Sequence, residues 1–545
     1  MAVPLEGRLG NTEAVREWYV DWLGAANREN ARLEWWAHTS TAKNFLSSPL
    51  AHEVVETLAL TRVLATGEAG NLFVVGASSA QVETIRAWAR QAKPALKITD
   101  RRGILRTPQL AFTRLVFQTL RMMDWWLFRR PAVRPPADVY LFTYADGGFR
   151  DGHDAFFGEL AARLETLLPG ASVLHLAHVQ APYGQVVPLL EKATAHRYQL
   201  LLAELRFGDI AKAFIATLRA LWNSRRCALP PIAGLNTDAL LRRAFAWEIA
   251  RGGYLLNMLV YHAARRFAQR CRPARFIYPY ENKSLEKMLL LGLREMHAAC
   301  RVVGYQHTAV TPRHATLLFA PGEAAATPLP DRILTTGRVT LDYLRRLGRY
   351  PEGMLAEGCA LRQRTGEAPR QRSRSAGRVR LLVALSSSRL ELERVVRFLI
   401  DVKTRLPDIE LGIRAHPEFP LSQLPRPLSA WLAAHAADLS GTSLEDNLAW
   451  CDAAAYVSST VALEALLAGR PAIHIAIGDY LDPDPVIAGP ALHRRTDSVA
   501  AFLHALEDFM AKDDAAWDAL AGEAFRYARE YFLPPTDVRI RAFLG

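Results

Sequence analysis

Nowhere among the 545 residues does an uninterrupted apolar run approach the ~20 residues of a bilayer-spanning helix. The first twenty residues also lack a basic stretch followed by an apolar core. The chain is therefore expected to be neither exported nor membrane-spanning. Cysteine is scarce. Cys227, Cys271, Cys300, Cys359 and Cys451 are odd in number, far apart and without CxxC or Cys/His spacing, which argues against a disulfide framework and against a zinc site. A reducing cytoplasm is the expected compartment. Short-period repeats are missing, as is any RNA-recognition or helix-turn-helix signature, so a nucleic-acid partner is not expected.

What is present is the composition of a globular protein: half of the residues are hydrophobic and 22% are charged. The length exceeds one ordinary core and fits two large lobes. The net charge of +12 suits phosphate-bearing ligands, anionic lipid or nucleic acid, and charge alone does not choose among them. Much of the excess falls in two stretches, Arg101 to Arg134 and Arg362 to Arg380.

Residues 10 to 65 read as helical, with Trp18, Trp22, Trp35 and Trp36 as packing anchors and Thr39 to Ser48 as a polar break. Short apolar strands then alternate with helices. NLFVVGA (71 to 77), LKIT (96 to 99), DVYLFTYA (138 to 145), SVLHLAHV (172 to 179), FIYPYE (276 to 281), RVVGYQH (301 to 307) and DRILTTG (331 to 337) are the strand candidates. Long helices are expected near 198 to 222 and 237 to 270. Such alternation predicts a parallel sheet covered on both faces. A polar, basic linker over 362 to 378 separates this first lobe, 1 to 361, from a second over 379 to 512. There the alternation restarts with VRLLVAL, IELGIRA, ADLS, AAAYVS and PAIHIAI. A last helical segment, 513 to 545, is expected to pack back across the lobes. The fold class is α/β, with two Rossmann-like doubly wound lobes facing a cleft and a helical N-terminal extension.

Ligands of open parallel sheets bind beyond the carboxyl ends of the strands, where helix N-termini offer free N–H groups to phosphate. In the second lobe those ends carry Ser386, Ser387 and Ser388; Arg414, His416 and Pro417; Gly441, Thr442 and Ser443; and Ser458, Ser459 and Thr460, with Glu464 one turn further. Ordinary capping accounts equally well for Ser459 and Gly469 taken alone. The nearby RAHP element tips the balance, because a histidine and an arginine together can neutralise a departing phosphate.

RAHP (Arg414 to Pro417) followed by SSTVALEALLAGRP (Ser458 to Pro471) resembles the His-Pro and Ser-Ser signatures of GT-B glycosyltransferases that use CMP-activated sugars, the bacterial sialyltransferases and Kdo transferases of capsule and lipopolysaccharide synthesis. The resemblance implies that His416, Ser458 and Ser459 contact the CMP phosphate, with Thr442 and Ser443 near the cytidine. The pattern is also similar to that of CDP-glycerol phosphotransferases. WWAHTSTAKNFLSS, YADGGFRDGHDAFFGEL, YPYENKSLEKMLLLGLRE and RVVGYQHTAV, in that order, resemble a bacterial surface carbohydrate biosynthesis family across most of the chain.

A transferase of this kind needs a base to deprotonate the acceptor hydroxyl. Glu281 and His307, each closing an apolar run, are the candidates, with a helix-start carboxylate and a backbone-bonded histidine as their structural alternatives. Asp146 and Asp151, in the loop YADGGFRDGHD, are weaker ones. No DxD stands where a metal-dependent GT-A enzyme needs it, so neither a metal nor a cofactor beyond the CMP-sugar donor is expected. LAFTRLVFQTLRMMDWWLFRR (110 to 130) gathers Phe112, Leu115, Val116, Leu120, Met123 and Leu127 on one helical face and reads as an interfacial helix, with packing on the sheet as the alternative. The expectation is thus a peripheral enzyme on the inner face of the cytoplasmic membrane, moving a Kdo-like or sialic-acid-like sugar to a glycan or lipid-linked acceptor. A CDP-glycerol or CDP-ribitol phosphotransferase is the second reading, and a non-catalytic basic protein binding membrane or nucleic acid the third.

Overall fold

The computed structural model describes residues 12–45, 48–66, 77–93, 95, 97–99, 124–125, 136–145, 154–192, 197–223, 229–232, 234–362, 378–386, 388–416, 419–477 and 481–545. Thirteen strands among these form two sheets, and every pairing is parallel.

The first sheet contains β1 (Val139–Ala145), β2 (Val173–Val179), β3 (Tyr198–Leu200), β4 (Arg275–Pro279), β5 (Arg301–Gln306), β6 (Arg332–Thr335) and β7 (Leu355–Glu357), in the order β3-β2-β1-β4-β5-β6-β7. β1 and β2 are buried at every position, as apolar strands covered on both faces must be. The second sheet contains β8 (Arg380–Ala384), β9 (Glu410–Arg414), β10 (Ala436–Asp438), β11 (Ala453–Tyr456), β12 (Ala472–Ile475) and β13 (His493–Thr496), in the order β10-β9-β8-β11-β12-β13. Both sheets start in the middle and reverse direction once, which is the Rossmann winding. The chain therefore has the two-lobed α/β architecture of the GT-B type.

Several elements depart from the sequence pattern. Residues 97 to 99 of LKIT are neither strand nor helix, and 71 to 76 lie outside the described residues. The helix expected over 198 to 222 begins at Phe207, after β3 and a short 3-10 turn (Leu201–Glu204). The helix expected over 237 to 270 is two, Asp238–Arg251 and Gly253–Cys271, broken where Gly252 takes φ 79, a left-handed conformation that glycine adopts without Cβ strain. β3, β7 and β13 have three or four residues, too few to show a period.

The described part of the polar break, Thr39 to Phe45, turns inward. Its 3-10 turn (Thr39–Ala42) is buried, with Thr39 N–H, Ser40 N–H and the Ser40 hydroxyl all donating to the Glu248 carboxylate. Lys43, 1% exposed, pairs with Glu323 at 2.6 Å, and Asn27 Nδ2 donates to the same carboxylate at 2.7 Å. The N-terminal helices are thereby tied to the first lobe through satisfied buried charges.

Contacts of the C-terminal segment join the lobes. The helix Asp514–Tyr531 packs on Val461–Leu467 of the second lobe and on Arg338–Leu347 of the first. The Tyr531 hydroxyl accepts from Val310 N–H at 2.8 Å, and Leu533 N–H donates to Thr336 O at 3.0 Å. The short helix Asp537–Arg541 then lies against Leu160–Leu167.

Candidate active site between the lobes

Each sheet has one point where neighbouring strands send their connections to opposite sides, and there a crevice opens beyond the strand ends. In the first lobe it lies between β1 and β4, and in the second between β8 and β11. Glu281 follows β4 directly. Ser386 and Ser388 follow β8, and Ser458 follows β11.

The two edges meet through one chain of contacts. Arg313, in the loop after β5, donates from Nη1 to Glu391 Oε1 at 2.9 Å, and the Ser458 hydroxyl donates to Glu391 Oε2 at 3.0 Å. Glu391 sits in the first turn of the helix Arg389–Arg405, which Ser388 caps. Arg313 and Glu391 keep only 14% and 6% side-chain exposure, so the pair is largely out of water.

On the first-lobe edge, Glu281 Oε1 lies 3.1 Å from His307 Nε2, and the Lys283 ammonium pairs with its other oxygen. Burial alone would raise the Glu281 carboxyl. The His307 hydrogen bond and the Lys283 charge outweigh it and hold the carboxyl well below its ordinary range. His307 is buried and lowered from its ordinary value by that burial, despite the Glu281 charge. Its Nδ1 lies 3.4 Å from Arg362 Nη1, and the Phe156 ring meets the imidazole edge-on. With both ring nitrogens engaged, His307 orients Glu281 better than it could abstract a proton itself.

Beneath this pair lies Glu286, 1% exposed, which accepts from Glu281 N–H at 3.0 Å. Burial first and the Glu281 charge second push its carboxyl up to about 8. Lys287, also 1% exposed and 4.8 Å from the Trp36 ring centroid, is pulled down to about 7 by burial and by Lys43. Asn282, between Glu281 and Lys283, takes φ 57, and its side chain donates to Thr316 O at 2.7 Å. That anchor fixes the turn presenting Glu281, whose side chain remains 24% exposed.

A cavity of about 420 Å³ opens beside this edge at the end of β2. Its walls are mainly apolar, including Trp125, Leu202, Leu205, Leu256 and Leu285, with Asp124, His178, Gln180 and Arg251 as polar members. Leu285 stands in the first turn of the helix Ser284–Met296, next to Glu286. Within the stretch 110 to 130, only Asp124 and Trp125 are among the described residues. Both point into the first lobe: Asp124 accepts from Tyr183 and Gly184 N–H at the start of a helix, and Trp125 is 5% exposed.

The second-lobe candidates line one sheet edge, with several already engaged. Arg414 donates from Nη1 to Thr442 O and to Asn447 Oδ1, both at 2.9 Å, which binds β9 to the loop after β10. Ser443 caps the helix Leu444–Trp450 and donates to Asp446 Oδ2 at 2.6 Å. Ser386 Oγ accepts from Ser388 N–H, Ser459 Oγ accepts from Val461 N–H at 3.3 Å, and Thr460 begins the helix Val461–Leu467. His416 is half-buried after β9, and Glu464 is half-buried one turn into the Val461–Leu467 helix. Ser387, Pro417, Asp146 and Asp151 lie outside the described residues.

Several members went unmarked by the sequence pattern. Arg313, Glu391 and Arg362 carry no motif of their own, and only the fold brings them to the site, whereas Lys283 and Glu286 stand in the YPYENKSLEKMLLLGLRE run without having been singled out. A further group lies beyond β12, where His474, Asp482 and Asp484 come close enough among the described residues to share a cation. His493 Nε2 lies 2.8 Å from Asp484, and Arg495 pairs with Asp482, so both carboxylates already have side-chain partners. No helix of the described residues is long and apolar enough to cross a membrane.

The chain matches no protein-family model and no curated protein. Among solved structures, it is similar to the glycosyltransferase SnogD from Streptomyces nogalater, at 16% identity over 75% of this chain and 100% of that one, with a TM-score of 0.42. It is likewise similar to the calicheamicin glycosyltransferase CalG4, at 14% identity over 76% and 99%, with a TM-score of 0.41. The UDP-GlcNAc 2-epimerase from Neisseria meningitidis bound to UDP-GlcNAc matches at 7% identity over 74% and 99%, with a TM-score of 0.44. These are likenesses of layout, and the two-lobed assignment stands on the strand orders.

Proposed function

We propose that the protein is a glycosyltransferase that moves a sugar from a nucleotide-activated donor, held at the second-lobe edge, to a hydroxyl presented beside Glu281. The observation that carries this reading is the bridge from Arg313, in the loop that follows β5 and His307, to Glu391 and Ser458 at the strand-reversal point of the second lobe. The partly exposed Glu281 would take the acceptor proton, with His307 and Lys283 holding its carboxylate in place. As a strongly depressed carboxylate is a weak base, the reading requires the bound acceptor to displace Lys283. The apolar cavity beside Leu285 suits an acceptor with a hydrophobic portion.

A CMP-sugar of the Kdo or sialic acid kind is the finer proposal. It rests on the RAHP and SST elements, whose half-buried His416 and Ser458 share one sheet edge. Glu391 sets a condition on it: a phosphate can approach Ser458 only if Arg313 neutralises that carboxylate or draws it away.

The test is a thermal-shift panel of CMP, CDP, UDP, GDP and ADP on the full chain, repeated on His416→Ala and Ser458→Ala, followed by product analysis with CMP-sugars against CDP-glycerol. Stabilisation by CMP that both variants lose is the expected result. A UDP or GDP preference would remove the CMP-sugar donor while leaving the transferase. Silence towards every nucleotide would remove the transferase as well.

A further inference from the structure

We infer that the helix Phe207–Asn223 docks on an anionic lipid surface. Six of the eight large hydrophobic side chains that stand exposed among the described residues belong to it: Phe207 (77%), Phe214 (49%), Ile215 (47%), Leu218 (52%), Leu221 (41%) and Trp222 (63%). At 100° per residue they form one stripe about 120° wide. The opposite face carries Asp209, Ala213, Thr217 and Ala220, all buried, so the helix is already seated on the first lobe and the stripe points away from it.

The charges select the partner. Lys212 and Arg219 are exposed and border the stripe on one side, and Arg206 is exposed just before the helix. The helix's one carboxylate, Asp209, is buried and bonded twice by Arg266, at 2.9 and 3.1 Å. An apolar stripe with a basic border, and without an exposed acid, complements anionic headgroups above acyl chains. An aromatic residue near each end, Phe207 and Trp222, suits the boundary between the two. A protein partner would be expected to meet polar groups of both signs around an apolar centre.

The helix also continues towards the cavity. Leu202 and Leu205, in the segment leading into it, line that cavity together with Leu285, which stands in the helix start that follows Glu281. On the transferase reading, and only on it, this offers a lipid-linked acceptor a route from the bilayer to the reacting hydroxyl. Docking itself does not depend on that reaction.

The experiment is vesicle co-sedimentation of the full chain with phosphatidylcholine alone and with phosphatidylcholine containing phosphatidylglycerol, at low and high salt. Three forms are compared: wild type, Phe214→Ser with Leu218→Ser, and Lys212→Glu with Arg219→Glu. Wild type is expected to bind the anionic vesicles and to weaken with salt. Each double variant should bind at least about tenfold less, with unchanged melting temperature and unchanged response to nucleotide. These positions are exposed, so the variants should fold, and the melting temperature verifies it. Equal sedimentation with and without vesicles would overturn the inference. So would a wild-type oligomer that the Phe214→Ser/Leu218→Ser variant converts to monomer, since a second copy would then cover the stripe. Vesicle binding without any nucleotide response would leave the docking standing and remove the transferase.

Discussion

Glu281 and Glu286 sit in one turn and helix start, yet their environments drive their carboxyls in opposite directions. Glu281 is ionised by its His307 and Lys283 partners, whereas Glu286, buried beneath it, is protonated at neutral pH. Opposed pairs of this kind mark acid–base sites. Glu281→Gln is expected to lower turnover by at least about a hundredfold while leaving nucleotide stabilisation intact, read by product formation and thermal shift on the same sample. Loss of both together would mean that Glu281 supports the fold instead. Glu286 makes a different prediction. Its carboxyl is raised on folding, so the folded state holds the extra proton, and the stability this contributes is lost as pH climbs from the unfolded value of 4.5 towards about 8. Between about pH 5 and pH 7, urea denaturation should show wild type losing up to about 3 kcal/mol relative to Glu286→Gln. The window ends there because Lys287, with its amine down to about 7 and interacting electrostatically with Glu286, begins to titrate and couples to it. A pH-independent difference between the two proteins would place the Glu286 proton elsewhere.

The strands and helices that build the site depend on small residues where they cross. Gly337 opens the helix Arg338–Leu347, and a Cβ there would lie 2.3 Å from the carbonyl oxygens of Glu530 and Tyr531. Both obstacles are backbone, so Gly337→Ala must push away the end of the Asp514–Tyr531 helix. A loss of about 1–3 kcal/mol is expected, measurable by calorimetry, together with weakened Tyr531–Val310 bonding visible as faster amide exchange at Val310. An unchanged melting temperature would show that the C-terminal helix is not held at that crossing. The same dependence on tertiary contacts explains what could be read beforehand. β1, β2, β4, β5, β8 and β11 announce themselves as apolar runs because burial on both faces demands it, and with them come the two-lobed alternation and the positions of Glu281, His307 and Ser458 at strand ends. Thr39 to Lys43 looks polar along the chain, and its burial depends on Glu248 and Glu323, more than two hundred residues away. Arg362 opens the linker expected over 362 to 378, and its guanidinium reaches His307 and the Phe156 ring. Pairings of that reach leave no local pattern to read.

Across the whole molecule, the Arg313–Glu391 pair is where the first lobe meets the second-lobe edge proposed to hold the donor. With Ser458 bonded to Glu391, the edge presents a neutralised acid at the place assigned to a phosphate. On the proposed reading, an anion bound there would compete with Glu391 for Arg313, and donor occupancy would be linked energetically to the contact between the lobes. A double-mutant cycle tests that linkage. Glu391→Gln removes the competing carboxylate and should tighten nucleotide binding severalfold, whereas Arg313→Ala leaves Glu391 unpaired and should weaken it about tenfold. In the double variant the two effects should not add, leaving a coupling of at least about 1 kcal/mol by titration calorimetry. Arg313 lies on the loop that begins at His307, so the same exchange should reach Glu281: Arg313→Ala is expected to lower kcat beyond its effect on nucleotide affinity. Additive effects with unchanged kcat would mean that the pair joins the lobes as a passive tether and that the two edges work independently.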